Sequence, residues 1–453
     1  MPAHELSLAQ AALEIREGRL SAVELAQACL ERIAAVEDEV QAWAFLDPRH
    51  ALAQAERADD WRRHGKPLAP LHGVPVGIKD IFDTSDMPTE FGSPIHAGRA
   101  PRRDAACVAR LRAAGAVILG KTVTTEFAYF HPGKTRNPHD PARTPGGSSS
   151  GSAAAVAAAM VPGAIGSQTN GSVIRPAAFC GVVGYKPTHG LIPRSGALLL
   201  SRALDHVGVF ARTIEDAALL AQCMAGHDEA DADTRPIAAP PLVEIARQEP
   251  PLPPRFAFVR TAVWDQAEAD TRDAFAALVE RLGEAVQEID LAASTAPIHE
   301  LHAIVMQVEM AENLRPELTR ARAQLSAPLL ELLDQGTARL AVEYRRALDL
   351  TAPLAEQMES VFDEFDAILT PAAPGEAPLG LHATGGPAFC TIWSYLGLPA
   401  LTLPLLQGSN GLPIGVQLVG KRGNDARLLR TARWLVHHLT DRGKRGAAKG
   451  RQR

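Results

Sequence analysis

Two glycine- and hydroxyl-rich clusters lie close together in this chain: Thr144-Pro-Gly-Gly-Ser-Ser-Ser-Gly-Ser152 and Gly166-Ser-Gln-Thr-Asn-Gly-Ser-Val-Ile-Arg-Pro-Ala-Ala-Phe-Cys-Gly181. A flexible loop followed by a turn would account for the glycines. It would not account for hydroxyls beside them in both clusters. Glycine lets backbone N–H groups converge on one point, and a serine hydroxyl can serve as nucleophile or proton relay. The pattern therefore suits a catalytic or anion-cradling role. Upstream, Leu71-His-Gly-Val-Pro-Val-Gly-Ile-Lys-Asp80 places Lys79 at the end of an apolar run. At a surface such a lysine snorkels or pairs with Asp80 or Asp83. Drawn into an apolar site, it loses proton affinity and can act as a base.

Three other motifs invite different chemistry and are set aside. Gly147-Ser-Ser-Ser-Gly151 fits the G-x-S-x-G elbow, which would make Ser149 the nucleophile. That elbow must follow a strand, and Thr144-Pro145-Gly146 is poor strand sequence. His299-Glu300-Leu301-His302 spaces its histidines by three, where a zincin helix spaces them by four, so an amphipathic helix face is the simpler reading. Neither glycine cluster ends in G-K-[ST], which leaves a nucleotide site weak.

The positioning elements read as α/β. Residues 7–63 are expected to be helical, with Ser21-Ala-Val-Glu24 as a capping box and Leu25, Cys29, Ile33 and Val36 on one face. Short apolar runs at 74–78, 116–119 and 182–183 suggest strands, with a helix at 104–114 between the first two. A proline-rich stretch, 235–254, reads as a loop or a linker between lobes. A strand at 256–259, a helix at 268–282 and a long helical stretch at 297–364 follow. Strands at 365–369, 401–405 and 415–419 and a closing helix at 425–439 complete the pattern. Alternating short strands and helices imply a largely parallel or mixed sheet.

Composition narrows the function classes. The 453 residues are 46% hydrophobic and 22% charged, enough apolar content for a sizeable core. A formal charge of −6 and 5% aromatic residues argue against nucleic-acid partners. The five cysteines are scattered with no C-x-x-C pair, which suits a reducing compartment and a cytoplasmic location. The charged N-terminal residues do not read as a signal peptide, and the longest apolar stretch, 153–161, is too short to span a bilayer.

Residues 146–181, with the preceding Gly-Val-Pro-Val-Gly-Ile-Lys-Asp run, closely resemble the amidase signature family of serine hydrolases. The resemblance extends through Gly184-Tyr-Lys-Pro-Thr-His-Gly190, the 202–208 segment and Leu412-Pro-Ile-Gly-Val-Gln-Leu418, and is weakest from 225 to 360. It implies a mixed central β-sheet sandwiched between layers of α-helices. One domain is expected over residues 1–442, with 443–453 a basic, disordered tail. Within that domain the resemblance implies a helical arm (1–64), a core carrying the site (65–234), a proline-rich and mainly helical region (235–364) and a return to the core (365–442).

The family's Ser–cis-Ser–Lys triad carries over to Ser172, Ser148 and Lys79, with a cis bond expected between Gly147 and Ser148. Ser172 would attack the amide carbonyl, Ser148 would relay the proton, and neutral Lys79 would be the final base. The N–H groups of Thr169, Asn170, Gly171 and Ser172 would form the oxyanion hole, and Ser149 and Ser167 would be supports. No cofactor and no metal are implied. The sequence departs from the commoner family pattern at Ser150, Gln168 and Asn170, while all three triad positions are intact.

The substrate is expected to be a small-molecule amide. Arg175 follows the nucleophile by three residues, an arrangement similar to the malonamidase branch. It would either pair with a substrate carboxylate or tie the loop to the core. Gly147 and Leu199 are the other expected substrate contacts. The apolar Ala197-Leu-Leu-Leu200 wall would suit aryl or alkyl amides and carbamate esters. Two further readings stand beside the amidase: the glutaminase subunit of a tRNA-dependent amidotransferase, and a non-catalytic binding protein on the same fold. The leading helices offer a surface on which a homodimer could form.

Overall fold

A computed structural model describes residues 1–440 with their side chains, and its last helix is Asp425–Gly450. The basic tail expected at 443–453 lies outside the described side chains.

Eleven strands form one continuous mixed sheet. They are β1 (Trp43–Leu46), β2 (Pro75–Lys79), β3 (Val117–Thr122), β4 (Gly163–Gln168), β5 (Val183–Lys186), β6 (His206–Ala211), β7 (Phe256–Arg260), β8 (Val286–Asp290), β9 (Ala367–Pro371), β10 (Ala400–Gln407) and β11 (Pro413–Val419). Their spatial order is β1-β3-β2-β4-β6-β5-β10-β11-β9-β7-β8. β2 runs parallel to both β3 and β4, β7 runs parallel to both β8 and β9, and the strands between β4 and β9 pair antiparallel. Every residue of β2, β3, β5, β6 and β9 is buried, as expected of strands covered on both faces. This is the α/β architecture expected.

The leading segment forms helices Leu8–Arg16, Ala22–Val40 and Pro48–Arg63. Ser21 and Glu24 make the reciprocal capping box, with Ser21 Oγ accepting from the Glu24 N–H at 3.0 Å and Glu24 Oε2 from the Ser21 N–H at 2.8 Å. The arm is not helical throughout. Trp43–Leu46 breaks it as an edge strand pairing antiparallel with β3. The proline-rich stretch, expected to be a loop or a linker between lobes, carries a packed helix. Its helix Leu242–Arg247 buries Leu242 and Ala246 against the helices Ile214–Met224 and Asp425–Gly450. Because β7, β8 and β9 continue the same sheet, no boundary between lobes falls there.

The helix that follows the first serine cluster, Ser150–Ala157, shows how composition places the site. Its residues are Ser-Gly-Ser-Ala-Ala-Ala-Val-Ala, and all but the last are buried. Small side chains let its backbone lie close to the sheet. A Cβ at Gly151 would stand 2.3 Å from the Ala42 carbonyl oxygen and 2.4 Å from the Val123 nitrogen. The serine cluster is thereby held against the ends of β2 and β4.

Candidate active site

Lys79 is the last residue of β2, and its side chain is wholly buried. Its Nζ donates to Ser148 Oγ at 2.7 Å and to Ser167 Oγ at 2.8 Å. Burial pushes the ammonium well below its usual pKa, and the charge of Asp205 opposes that shift. The shift is toward the neutral amine. Ser148 sits in the turn ahead of the helix Ser150–Ala157, and the Gly147–Ser148 peptide is cis, as the resemblance implied. A side chain at Gly147 has no room: a Cβ there would lie 2.7 Å from Thr384 Cγ2 and 3.0 Å from Thr125 Cγ2.

The second cluster begins where β4 ends. Gln168 is the strand's last residue, and Thr169 to Ser172 form the loop into the helix Ile174–Cys180. Gln168 Oε1 accepts from the N–H groups of Val173 and Ile174 at 2.8 and 3.0 Å, while its Nε2 donates to Ser394. This glutamine caps the helix and leaves the preceding turn to face the cleft. Asn170 is held by Thr391 at its side chain and by Ser394 at its carbonyl. Thr169 gives its hydroxyl to Asp205 at 2.6 Å and accepts at its carbonyl from His302 Nε2 at 3.1 Å. Burial holds His302 down to a pKa of about 4, so it is a neutral donor under the loop.

Ser172 is half-buried and lines a cleft of ≈ 320 Å³ together with Thr169, Asn170, Gly171 and Arg175. The opposite wall is apolar, with Leu200, Met306 and Met310. The structure brings Lys79, Ser148 and Ser167 into direct hydrogen bonding and places Ser172 in the cleft. No hydrogen bond joins Ser148 to Ser172 among the described residues. Ser149 is buried and its hydroxyl engages the backbone of Ser167, accepting from the N–H at 3.3 Å and donating to the carbonyl at 3.2 Å. No strand precedes it, so the elbow geometry is absent at Ser149.

Arg175 reaches the cleft with its guanidinium fully buried. Nη1 donates to the Gly385 carbonyl at 2.9 Å, and Nη2 to the Gly147 carbonyl at 2.7 Å and Thr384 Oγ1 at 3.2 Å. It ties the cis-peptide turn to the segment ahead of the helix Ala388–Tyr395. Its Nε has no partner and no carboxylate pairs with it among the described residues. Burial lowers its pKa to about 10. Leu199 departs from expectation: it is 40% exposed and absent from the cleft, and its neighbour Leu200, 3% exposed, lines the wall instead.

Sequence reasoning did not single out Gln168 as a cap, Asp205 as the partner of Thr169, or Met306 and Met310 as cleft wall. Asp205 falls in the 202–208 segment that carried the resemblance, a signal that pointed to it without giving it a role. The two methionines lie at helical spacing in the region of weakest resemblance, where nothing distinguishes a wall residue from a core residue. His302, half of the apparent zincin motif, proves to be a loop support. Among the described residues no cluster of His, Cys, Asp or Glu could hold a metal. No described helix is long and apolar enough to cross a membrane.

A buried amine bonded to two serines, close to a cleft that holds a third, is the kind of arrangement found in an enzyme that hydrolyses amide C–N bonds, and the family comparison shows that class. The chain belongs to the amidase family, whose profile matches residues 24–429. It is 36% identical to a glutamyl-tRNA(Gln) amidotransferase subunit from Chloroflexus aggregans, covering 94% of this chain and 95% of that one. Among solved structures it superposes with a TM-score of 0.89 on a chain from a vestigial complex tied to the evolutionary origins of an s-triazine catabolic enzyme. That chain is 29% identical, with 95% of this chain and 98% of the other covered. The native peptide amidase of Stenotrophomonas maltophilia gives 0.81 at 29% identity, covering 96% and 97%.

Proposed function

We propose that the protein hydrolyses small carboxylic amides through Ser172, Ser148 and Lys79 by way of an acyl-enzyme. The observation that supports this is the buried Lys79 amine 2.7 Å from Ser148 Oγ, in the turn whose Gly147 carbonyl is bound by Arg175 of the cleft that holds Ser172. Ser172 Oγ attacks the carbonyl carbon and its proton passes to Ser148, whose own proton passes to Lys79. The oxyanion faces the N–H groups of Thr169, Asn170, Gly171 and Ser172, each worth about 100-fold or more in rate. Lys79 returns the proton through Ser148 to the leaving nitrogen as the C–N bond breaks. Water, deprotonated by the same relay, then releases the acid and restores Ser172.

The cleft carries two features that bear on the acyl group. Arg175 leaves a guanidinium charge without a carboxylate partner, and its unpartnered Nε favours a small acidic acyl group. Leu200, Met306 and Met310 favour an aryl or alkyl one, carried by an amide or a carbamate. We read the enzyme as a broad amide hydrolase. The test is turnover of malonamate, glutamine, acyl anilides and aryl carbamates by the purified chain, with Ser172→Ala beside Ser149→Ala. Ser172→Ala is expected to lose at least about 1,000-fold in kcat, with Ser149→Ala retaining measurable turnover. Loss with Ser149→Ala alone overturns the mechanism, and failure of a fluorophosphonate to label Ser172 supports a non-catalytic binding role.

A second reading has support in sequence. The relative named as part of a glutamyl-tRNA(Gln) amidotransferase matches over 94% of this chain. A glutaminase of that kind would act inside a complex. Preference for glutamine together with co-purification of a second protein chain would favour it. Robust hydrolysis of anilides by the isolated chain would count against it.

A further inference from the structure

Asp205 belongs to none of the triad or oxyanion positions, yet it is the carboxylate that touches the site. It stands just ahead of β6, is 8% exposed, and makes no ion pair within 4 Å among the described residues. Its Oδ1 accepts from Thr169 Oγ1 at 2.6 Å, and its Oδ2 accepts from the N–H groups of Leu200 at 2.8 Å and Ser201 at 3.0 Å. All three partners are donors, which suits an ionised carboxylate, an acceptor at both oxygens. Burial raises its pKa, and these donors work against that rise. Asp205 thus joins the oxyanion loop, through Thr169, to the loop that carries the cleft-wall residue Leu200.

A second small cavity lies on the far side of that loop. Its walls include Ser167, Thr169, Leu200, Asp205 and His206. Ser167 is the residue whose hydroxyl accepts from Lys79 at 2.8 Å, so Asp205 and the lysine's partner line one pocket. The other charged and titratable groups around Asp205 do not replace it as the anion near Lys79. Arg194, from the loop after β5, donates to the Asp205 carbonyl at 3.2 Å and is itself paired with Asp231 and Asp233. His189, His206 and His302 are all held neutral by burial. Glu309, on the helix Ile298–Asn313, engages the Ser201 hydroxyl and Tyr344.

We propose that Asp205 is a positioning residue for the amide-hydrolysing site, fixing Thr169 of the oxyanion loop and setting a buried negative charge in the pocket that Ser167, the hydrogen-bond partner of Lys79, also lines. The inference rests on the Ser172–Ser148–Lys79 reading. Burial depresses the proton affinity of the amine, and the charge of Asp205 opposes that depression. A purely structural aspartate would hold the loops by shape, and an asparagine could do nearly the same. The charge is what separates the two roles.

The experiment is the pH dependence of kcat/KM for Asp205→Asn on an amide the wild type turns over. With the carboxylate gone, Lys79 gives up its proton more readily. The acid limb is expected to move about 1 pH unit lower, and kcat on the plateau to fall about tenfold or more, with KM near wild type. Asp205→Asn with the limb in its wild-type place overturns the proposal, because Asp205 would then act by shape alone. Should Asp205→Asn fail to reach the wild-type circular dichroism, Thr169→Val carries the test. It removes the 2.6 Å hydrogen bond and keeps the charge, so kcat is expected to fall about tenfold with the acid limb unmoved. An effect on KM alone, or none, overturns the link to the oxyanion loop. Ser172→Ala run in parallel separates the two readings. Full activity of that variant sinks the triad, whereas a dead Ser172→Ala beside an unmoved limb sinks only the role of Asp205.

Discussion

A lysine amine enclosed by protein, with two serine hydroxyls as partners, is an expensive group to keep. In water the ammonium is favoured, and burial in the fold shifts Lys79 toward the neutral amine. Neutral Lys79 can accept a proton and the ammonium cannot, so kcat/KM is expected to rise from acidic to mildly alkaline pH. A flat profile of the chemical step from about pH 5 to 9 would contradict the assignment. Stability carries the same signature. Because the folded-state pKa of Lys79 lies below its unfolded value, the unfolded chain binds the extra proton between the two. Stability then increases with pH across that window and levels off above the unfolded pKa. Relative to Lys79→Met, which has nothing to titrate there, the wild type is expected to gain stability as pH rises from about 7 to 10 in denaturant melts. An equal pH response of the two proteins would show that Lys79 is charged in the fold.

At the scale of elements, the site depends on where two strands stop. β2 ends on Lys79 and β4 ends on Gln168, and their parallel pairing sets both ends at the same edge of the sheet. Gln168 converts the end of β4 into a cap for the helix Ile174–Cys180 and anchors it to Ser394. Gln168→Ala leaves two helix N–H groups without an acceptor and takes one donor from Ser394 Oγ, which keeps its bond to the Asn170 carbonyl. It is expected to cost about 2 kcal/mol of stability and about tenfold to a hundredfold in kcat, and Gln168→Glu is expected to recover part of the kcat. Equal stability of Gln168→Ala and wild type in melts would remove the cap from the account. β2 was legible because Val74-Pro-Val-Gly-Ile78 is a plain apolar run. β4 was not, because Gly-Ala-Ile-Gly-Ser-Gln has a single branched residue, Ile165, and no aromatic among the types that mark strands. Its glycines answer to close approach instead: a Cβ at Gly166 would stand 2.6 Å from Ser149 Oγ. β1 was hidden for a different reason, being four residues between two well-capped helices and fixed by its pairing with β3. Motif order pointed to Lys79, Ser148 and Ser172, and the structure joins the first two by a hydrogen bond and sets the third in the cleft. Asp205 and Gln168 were not, since their partners are set by the meeting of distant loops.

Across the whole molecule, the region of weakest resemblance contributes one wall of the cleft. The signature core supplies Ser172, Thr169 and Arg175, while Met306 and Met310 come from the helix Ile298–Asn313. One sheet joins the two regions, and this wall lines the same cleft as Ser172 with no linker between lobes. A fixed core with a divergent wall separates bond cleavage from choice of acyl group. Met306→Ala should therefore act on selectivity. Removing the thioether takes away apolar contact worth about 1–2 kcal/mol to a substrate that reaches it, and nothing from one that does not. The expected result is about a tenfold loss in kcat/KM for a long-chain or aryl acyl anilide, with less than about a twofold change for malonamate. Arg175→Lys is expected to behave differently. It breaks the fork that holds the Gly147 and Gly385 carbonyls, so both substrates should suffer through kcat. If Met306→Ala instead lowered kcat/KM equally for both substrates, the methionine would be supporting the oxyanion loop, and the acyl group would have to be read from the Arg175 side of the cleft.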